Sequence, residues 1–282
     1  MYYYIIDPQK IDQRTFERVQ NQLYSSIAQL RISGEISRVT TLRSVSQLVD
    51  TALLRGATSI VAVGHDSTVQ DVINAVGDRE VAVGYVPLQD SELSRILGIA
   101  DVVSACNNLA HRRVEMLDLG RVHHNYFFTK VGIGVSLDNI APKSMFDFSK
   151  FSQAANMKPV RIQMEIDGQF RAEFEVAVGA VFNSRGEMAQ GSKLADPTDG
   201  LLDVLLLPGL SSFDAWKYRN ELAAGALEQI PGCAVMHGHR LVISAPEGMP
   251  FYIGEKVAAK TPTVIEVLPR KIRMIIGKDR TF

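Results

Sequence analysis

The hydrophobic rhythm of this chain changes once, near Asp101, and that change limits the fold more than any single motif. Before it, short apolar runs alternate with helical periods. Residues 2–6, 59–63 and 80–86 read as strands, and residues 35–40 alternate like a further one. Phe16, Val19, Leu23, Ile27 and Leu30 recur at steps of three and four, which marks one face of a helix. Ser44 caps a second helical period carrying Val45, Leu48 and Ala52, and Gly56 closes it. Val69, Val72, Ile73 and Val76 mark a third, and residues 92–97 a short fourth. Strands alternating with helices predict a mostly parallel sheet covered on both faces.

After Asp101 the helical periods thin out. Residues 114–119, 124–131, 160–166, 171–181 and 202–207 read as strands, with Asp167-Gly168 and Asp199-Gly200 as turns. One helix is expected over 213–228, stopped by Pro231-Gly232, and short strands resume at 240–244, 251–253, 264–268 and 272–276. Such a pattern predicts an antiparallel β-sandwich. The expected fold class is therefore α/β + β: a doubly wound α/β domain over 1–120, then a β-sandwich over 121–270. Residues 271–282 are expected to return to the first domain. A chain of 282 residues suits two domains at ~100–200 residues each.

Charge excludes one class of partner. Thirty Lys and Arg oppose 31 Asp and Glu, and no basic cluster stands out, so nucleic acid is not an expected partner. The two cysteines, Cys106 and Cys233, match no zinc or redox spacing and fit a reducing compartment. The first residues read as a strand rather than a signal peptide. The longest apolar stretch, over 201–210, falls far short of the ~20 residues that span a bilayer, so membrane contact is expected to be peripheral. A cytoplasmic location follows as the expectation.

Ligands of open α/β sheets bind beyond the carboxyl ends of strands. Two loops fit: Gly64-His65-Asp66-Ser67-Thr68 and Pro87-Leu88-Gln89-Asp90-Ser91-Glu92. A helix start offers free N–H groups to phosphate, and a glycine lets phosphate approach the backbone. The same residues also read as plain helix caps. Ser67 with Gln70 fits a capping box, and Asp90 or Ser91 can cap the next helix.

The order of motifs along the chain is more specific. After the first loop come Val83-Gly-Tyr-Val-Pro-Leu88, Leu117-Asp-Leu-Gly120, Tyr126-Phe-Phe, Gly132-Ile-Gly134 and Asn183. Leu194-Ala-Asp-Pro197, Asp199-Gly-Leu-Leu-Asp203, Gly254-Glu255 and Pro269 follow. This succession resembles the diacylglycerol kinase catalytic family, bacterial lipid kinases related to sphingosine kinases and more distantly to NAD kinases. The resemblance covers nearly the whole chain and is strongest from Leu117 to Glu255. It implies the same fold, with ATP and Mg2+ as cofactors and transfer of the γ-phosphoryl group to a lipid hydroxyl at a membrane surface. It also implies a homodimer formed through the β domain. By position, Gly64, Asp66 and Thr68 match the first, third and fifth residues of the family's Gly-Gly-Asp-Gly-Thr loop. Thr41 matches a nucleotide-side threonine, and His65, Ser67, Pro87 and Gln89 fall in the nucleotide loops. Asp199 and Asp203 match the metal-side acids, and Glu255 the proposed base; Asp66 is the second catalytic candidate and with Thr68 lines the nucleotide.

The departures share a direction. His65 and Ser67 stand where the family has glycines, and a side chain at φ > 0 costs ~1 kcal/mol or more. Gln89-Asp90 replaces Gly-Thr, Glu92 replaces Asn, and Ile253 replaces the first acid of Asp-Gly-Glu. A carboxylate at Asp90 repels phosphate if the two are close. Two readings stay open: a lipid kinase, or a catalytically inactive or divergent relative that binds lipid or nucleotide. His237-Gly-His239 could place two imidazoles on one strand face for a metal, with a surface loop as the plainer reading. His123 and His124 read as one packed and one exposed residue. Residues 143–151 mix cations with Met145, Phe146, Phe148 and Phe151, as a membrane-touching stretch or a packed lid would.

Overall fold

The computed structural model describes residues 1–9, 11–135, 157–185, 195–224 and 226–282. The stretch 143–151 therefore lies outside the described residues. The chain divides into two compact units, the first made of Met1–Asp118 with Arg270–Phe282, the second of Leu119–Pro269.

The first unit contains β1 (Tyr2–Ile6), α1 (Gln13–Leu30), β2 (Gly34–Arg38), α2 (Val45–Leu54), β3 (Ser59–Gly64), α3 (Asp66–Val76), β4 (Ala82–Pro87), α4 (Glu92–Ile96) and α5 (Val102–His111). Its strands are parallel in the order β2-β1-β3-β4. Every residue of β3 and β4 is buried, as expected of strands with helices on both faces. Tyr2 and Tyr4 point to one face, where their hydroxyls donate to Leu109 O and Ile32 O. Tyr3 points to the other and shares a hydrogen bond with Ser37. The sequence did not lead us to expect α5. Its signal is nonetheless present: Asp101 caps it, and Val102, Ala105, Cys106 and Leu109 form its buried face. It packs so closely that a Cβ on Gly84 would lie 2.6 Å from Leu109 Cδ2.

The chain reverses its winding between β1 and β3. From β1 it moves outward to β2, then returns past β1 to place β3 on the other side. This is the topological switch point, where the loops after two neighbouring strands splay apart and leave a crevice.

The second unit begins within β5 (Val114–Val122), followed by β6 (Asn125–Phe127), β7 (Lys130–Ile133), β8 (Val160–Ile166), β9 (Phe170–Val176), β10 (Val178–Phe182) and β11 (Leu202–Leu207). Two short helices, α6 (Ser212–Lys217) and α7 (Arg219–Ala224), precede β12 (Ala234–Gly238), β13 (Arg240–Ala245), β14 (Pro250–Ile253), β15 (Lys256–Lys260) and β16 (Thr263–Ile275). Strands β12-β11-β10-β7-β14-β15 form an antiparallel sheet. Its inward residues Val131, Ile133, Val181, Val204 and Phe251 share one core with Ile162, Met164, Leu241, Ile243 and Ile265 from β8, β13 and β16. The unit is a β-sandwich, as the strand pattern predicted.

Three expected elements are split, the first being residues 124–131, which form the separate strands β6 and β7. Residues 171–181 form not one strand but β9 and β10. The chain changes sheets at Ala177, so β9 pairs with β8 while β10 pairs with β7 and β11. The helix expected over 213–228 breaks at Tyr218, whose ring packs against the cluster of Val178, Leu207, Ala215 and Leu222.

Candidate functional site

In the first unit the expected phosphate loop lies at the switch point. Gly64 ends β3, and a Cβ there would fall 2.8 Å from Thr68 Cβ and still closer to its hydroxyl, so only glycine fits. Thr68 is fully buried. Its hydroxyl accepts from His65 N (3.2 Å) and donates to Asp7 Oδ2 (3.0 Å), tying the loop to the end of β1. Asp7 Oδ1 accepts from Gln9 N (3.1 Å). His65 donates from Nε2 to Gln9 O (2.9 Å), a second tie across the crevice. The N-cap of α3 is thus His65, and Asp66 is its first residue. This corrects the expectation that Ser67 is the cap. The helix starts earlier because Thr68, rather than Gln70, reaches back to the cap amide.

The glycine replacements leave the backbone unstrained. His65 has φ −97°, and Ser67 sits in the first turn of the helix, so neither needs the left-handed region. The amides of Asp66 and Ser67 are first-turn donors that the helix itself does not use. The Asp66 carboxylate accepts from Tyr85 OH (2.9 Å) through Oδ1 and from Leu93 N (3.3 Å) through Oδ2. Burial, and then the Asp66 charge, pushes the Tyr85 phenol far above its ordinary range, so it remains a donor.

The second loop is capped as expected at Ser91, which accepts from Ser94 N (3.1 Å). Asp90 turns outward, with its side chain 71% exposed and 3.5 Å from Arg95. Pro87 is buried and Gln89 exposed. Thr41 is exposed at the tip of a turn closed by mutual backbone bonds between Thr40 and Arg43. Sequence reasoning singled out neither Asp7 nor Tyr85 as a site residue, although both end or flank strands at the binding edge of the sheet.

In the second unit Asp203 lies on β11 opposite His237 of β12. Its side chain is 8% exposed, against 55% for His237. One carboxylate oxygen pairs with His237 Nδ1 and the other accepts from Ala195 N. Ala195 itself takes up φ 66°. Asp199 is exposed and accepts from Leu201 N (2.8 Å), closing the turn that carries Gly200. Glu255 is exposed in the turn between β14 and β15, beside Gly254 at φ 58°. His239 does not join His237. It faces Asp167, which accepts from the His239 and Arg240 amides.

This geometry does not suit the metal that the acidic pair suggests. Both Asp203 oxygens already have partners, and an ion would have to displace the imidazole from one of them. Among the described residues no group of three or more His, Cys, Asp or Glu side chains could hold a metal ion. The arrangement fits an aspartate–histidine pair rather than a two-acid metal seat.

A parallel α/β unit with a helix start at its switch point, continuing into a β-sandwich, defines an NAD-kinase-type architecture. Residues 3–122 match the diacylglycerol kinase catalytic domain, and residues 138–276 match the YegS C-terminal NAD kinase beta sandwich-like domain. The two matches follow one another along the chain and take in most of it, in line with the resemblance to diacylglycerol kinases read from the motifs. It is 25% identical over 239 residues to a Shewanella frigidimarina protein named "Probable lipid kinase YegS-like", covering 77% of this chain and 76% of that one. It is 20% identical to the diacylglycerol kinase of Bacillus subtilis, covering 81% of each. Among solved structures, a diacylglycerol kinase from Bacillus anthracis superposes with a TM-score of 0.78 at 17% identity, covering 98% of this chain and 97% of that one. An NAD kinase from Archaeoglobus fulgidus in complex with ATP superposes at 0.57 with 11% identity, covering 99% and 95%. At these identities the superpositions speak for the fold.

Proposed function

We propose that the protein transfers the γ-phosphoryl group of ATP to a hydroxyl of a membrane lipid, in the manner of a diacylglycerol kinase. The observation that carries the reading is the β3–α3 corner. Its two substituted glycines leave the backbone in ordinary conformations, and the Asp66 and Ser67 amides stay directed from a helix start at the switch point. In this reading those amides receive nucleotide phosphate. Thr41, Gly64, His65, Thr68, Pro87 and Gln89 line the nucleotide, and Asp66 stands beside the transferring group. Glu255 takes the hydroxyl proton as the lipid oxygen bonds to phosphorus and the bond to ADP breaks. Magnesium belongs to this chemistry in the family. Because Asp203 is already paired with His237 and the Ala195 amide, Asp199 and Asp203 do not hold that metal in this reading.

A second reading, a lipid-binding relative without kinase activity, is favoured by the hydrogen bonds from His65 to Gln9 and from Thr68 to Asp7, in which the loop spends polar groups on the protein itself. Calorimetry with Mg-ATP separates the two. The kinase reading expects saturable binding that weakens about tenfold or more in Asp66→Ala. It also expects a Glu255→Gln variant that still binds nucleotide but phosphorylates diacylglycerol about a hundredfold more slowly. No heat at millimolar ATP moves the assignment to the second reading.

A further inference from the structure

The second unit exposes two large aromatic side chains on one short helix. Ser211 caps α6 by accepting from Asp214 N, and Ala215 faces inward onto Val178 and Leu207. Phe213 and Trp216, three positions apart, share the opposite side and are 73% and 52% exposed. Two cations frame them. Arg219 lies 4.6 Å over the Trp216 ring, and Lys217 is exposed beside it. The acid on this turn, Asp214, is bonded by the Ser211 hydroxyl (2.6 Å).

We propose that the Phe213/Trp216 face of α6 is the surface by which the protein docks on an anionic phospholipid bilayer. The inference rests on the lipid-directed reading above and gives it a membrane contact. Three arguments favour a bilayer over a protein partner. The pairing of tryptophan with arginine and lysine is the chemistry of a membrane interface: the ring enters the headgroup boundary while the cations meet lipid phosphate. Two aromatic side chains bury about 300–500 Å² together, below the ~800 Å² per partner of a stable protein interface. Among the described residues no helix is long and apolar enough to cross a membrane, so contact with a lipid acceptor falls to a surface.

Trp216 is the only tryptophan in the sequence, so its fluorescence reports this face alone. With vesicles of phosphatidylcholine and phosphatidylglycerol, its emission should shift to the blue and be quenched by brominated acyl chains. Vesicles of phosphatidylcholine alone should act more weakly. Phe213→Ser, with Trp216 kept as the reporter, should bind about tenfold more weakly or worse. It should also lose phosphorylation of vesicle-borne diacylglycerol while retaining that of a short-chain, dispersed diacylglycerol. Emission that ignores vesicles, or equal binding by the variant, overturns the proposal. So does a dimer in solution that Phe213→Ser dissolves, because the face then belongs to a second copy. If Trp216 enters the bilayer but no diacylglycerol is phosphorylated, the docking surface stands and the kinase reading falls.

Discussion

The corner at Thr68 and the corner at Asp203 were altered in opposite ways. Around Thr68 two residues, His65 and Ser67, differ from the pattern the resemblance implies, yet both occupy ordinary backbone conformations and the helix starts at the crevice. Around Asp203 the acid is retained, yet its partners are an imidazole and an amide. Residues that depart from the resemblance can thus leave a backbone unstrained, and an acid that matches it can still be taken up by its neighbours. The difference follows from what each corner needs. A phosphate-binding loop needs a backbone path, which several side chains tolerate. A metal seat needs free carboxylate oxygens, and a single neighbouring histidine is enough to take one.

The comparison breaks most sharply at Gly64. Gly64→Ala drives a Cβ into the Thr68 side chain and should cost about 3 kcal/mol, read as a lower urea midpoint for the first unit, with any nucleotide binding lost. A variant as stable as the parent would mean the Thr68 tie is dispensable. At the other corner, Asp203→Ala orphans the Ala195 amide and should cost about 2 kcal/mol, whereas His237→Ala, at a half-exposed pair, should cost under about 1 kcal/mol. The same variants test the metal question. Manganese should find no saturable site at Asp203 in the parent protein and gain one in His237→Ala. Equal affinity in both would restore the acidic pair as a metal seat.

The smallest effect uses the two thiols, one in each unit. Burial pushes Cys106 and Cys233 each up to about 11, and Glu228 adds to the rise at Cys233. Only about one thiol in a thousand is ionised at pH 8, so labelling by a disulfide reagent should be slow until a unit opens. Because the folded state holds these protons more tightly than an ordinary thiol, which titrates near 9.0, stability should fall as pH rises from about 9 to 11. Cys106 and Cys233 should then report the opening of the two units at different denaturant concentrations. Identical labelling curves would show that the corners are not energetically separate.

The two-part architecture was legible because hydrophobic period is a local property. The alternation of strands and helices up to residue 97, and the short strands after residue 114, are each written within a few residues. What escaped was written across distance. The helix α5 sat at the change of rhythm, where the short turn before Asp101 masked a regular inward face. The break at Ala177 follows from which sheet each strand pairs with. Gly64, Asp66 and Thr68 could be picked out from one loop. Their anchors could not, since Asp7 lies 61 residues from Thr68 and Tyr85 lies 19 from Asp66. The role of Asp203 depends on the β11–β12 register, which sets it opposite His237, 34 residues later.

The closing segment of the first unit has a consequence for how the chain is made. Arg273 and Met274 pair with Ala82 and Val83 of β4, and Gly277 N and Thr281 N donate to Leu97 O and Ile96 O. Gly98 is held to glycine there both by φ 67° and by the backbone of Arg280, 2.5 Å from where its Cβ would lie. The sandwich, residues 119–269, is contiguous and leaves the ribosome whole, while the unit begun first waits for residues 270–282. At ~5–20 residues per second, the roughly 150 intervening residues impose a delay of about 8–30 s. During that interval β4 has an open edge, so the nascent protein is most exposed to strand-to-strand aggregation in the half that was translated earliest.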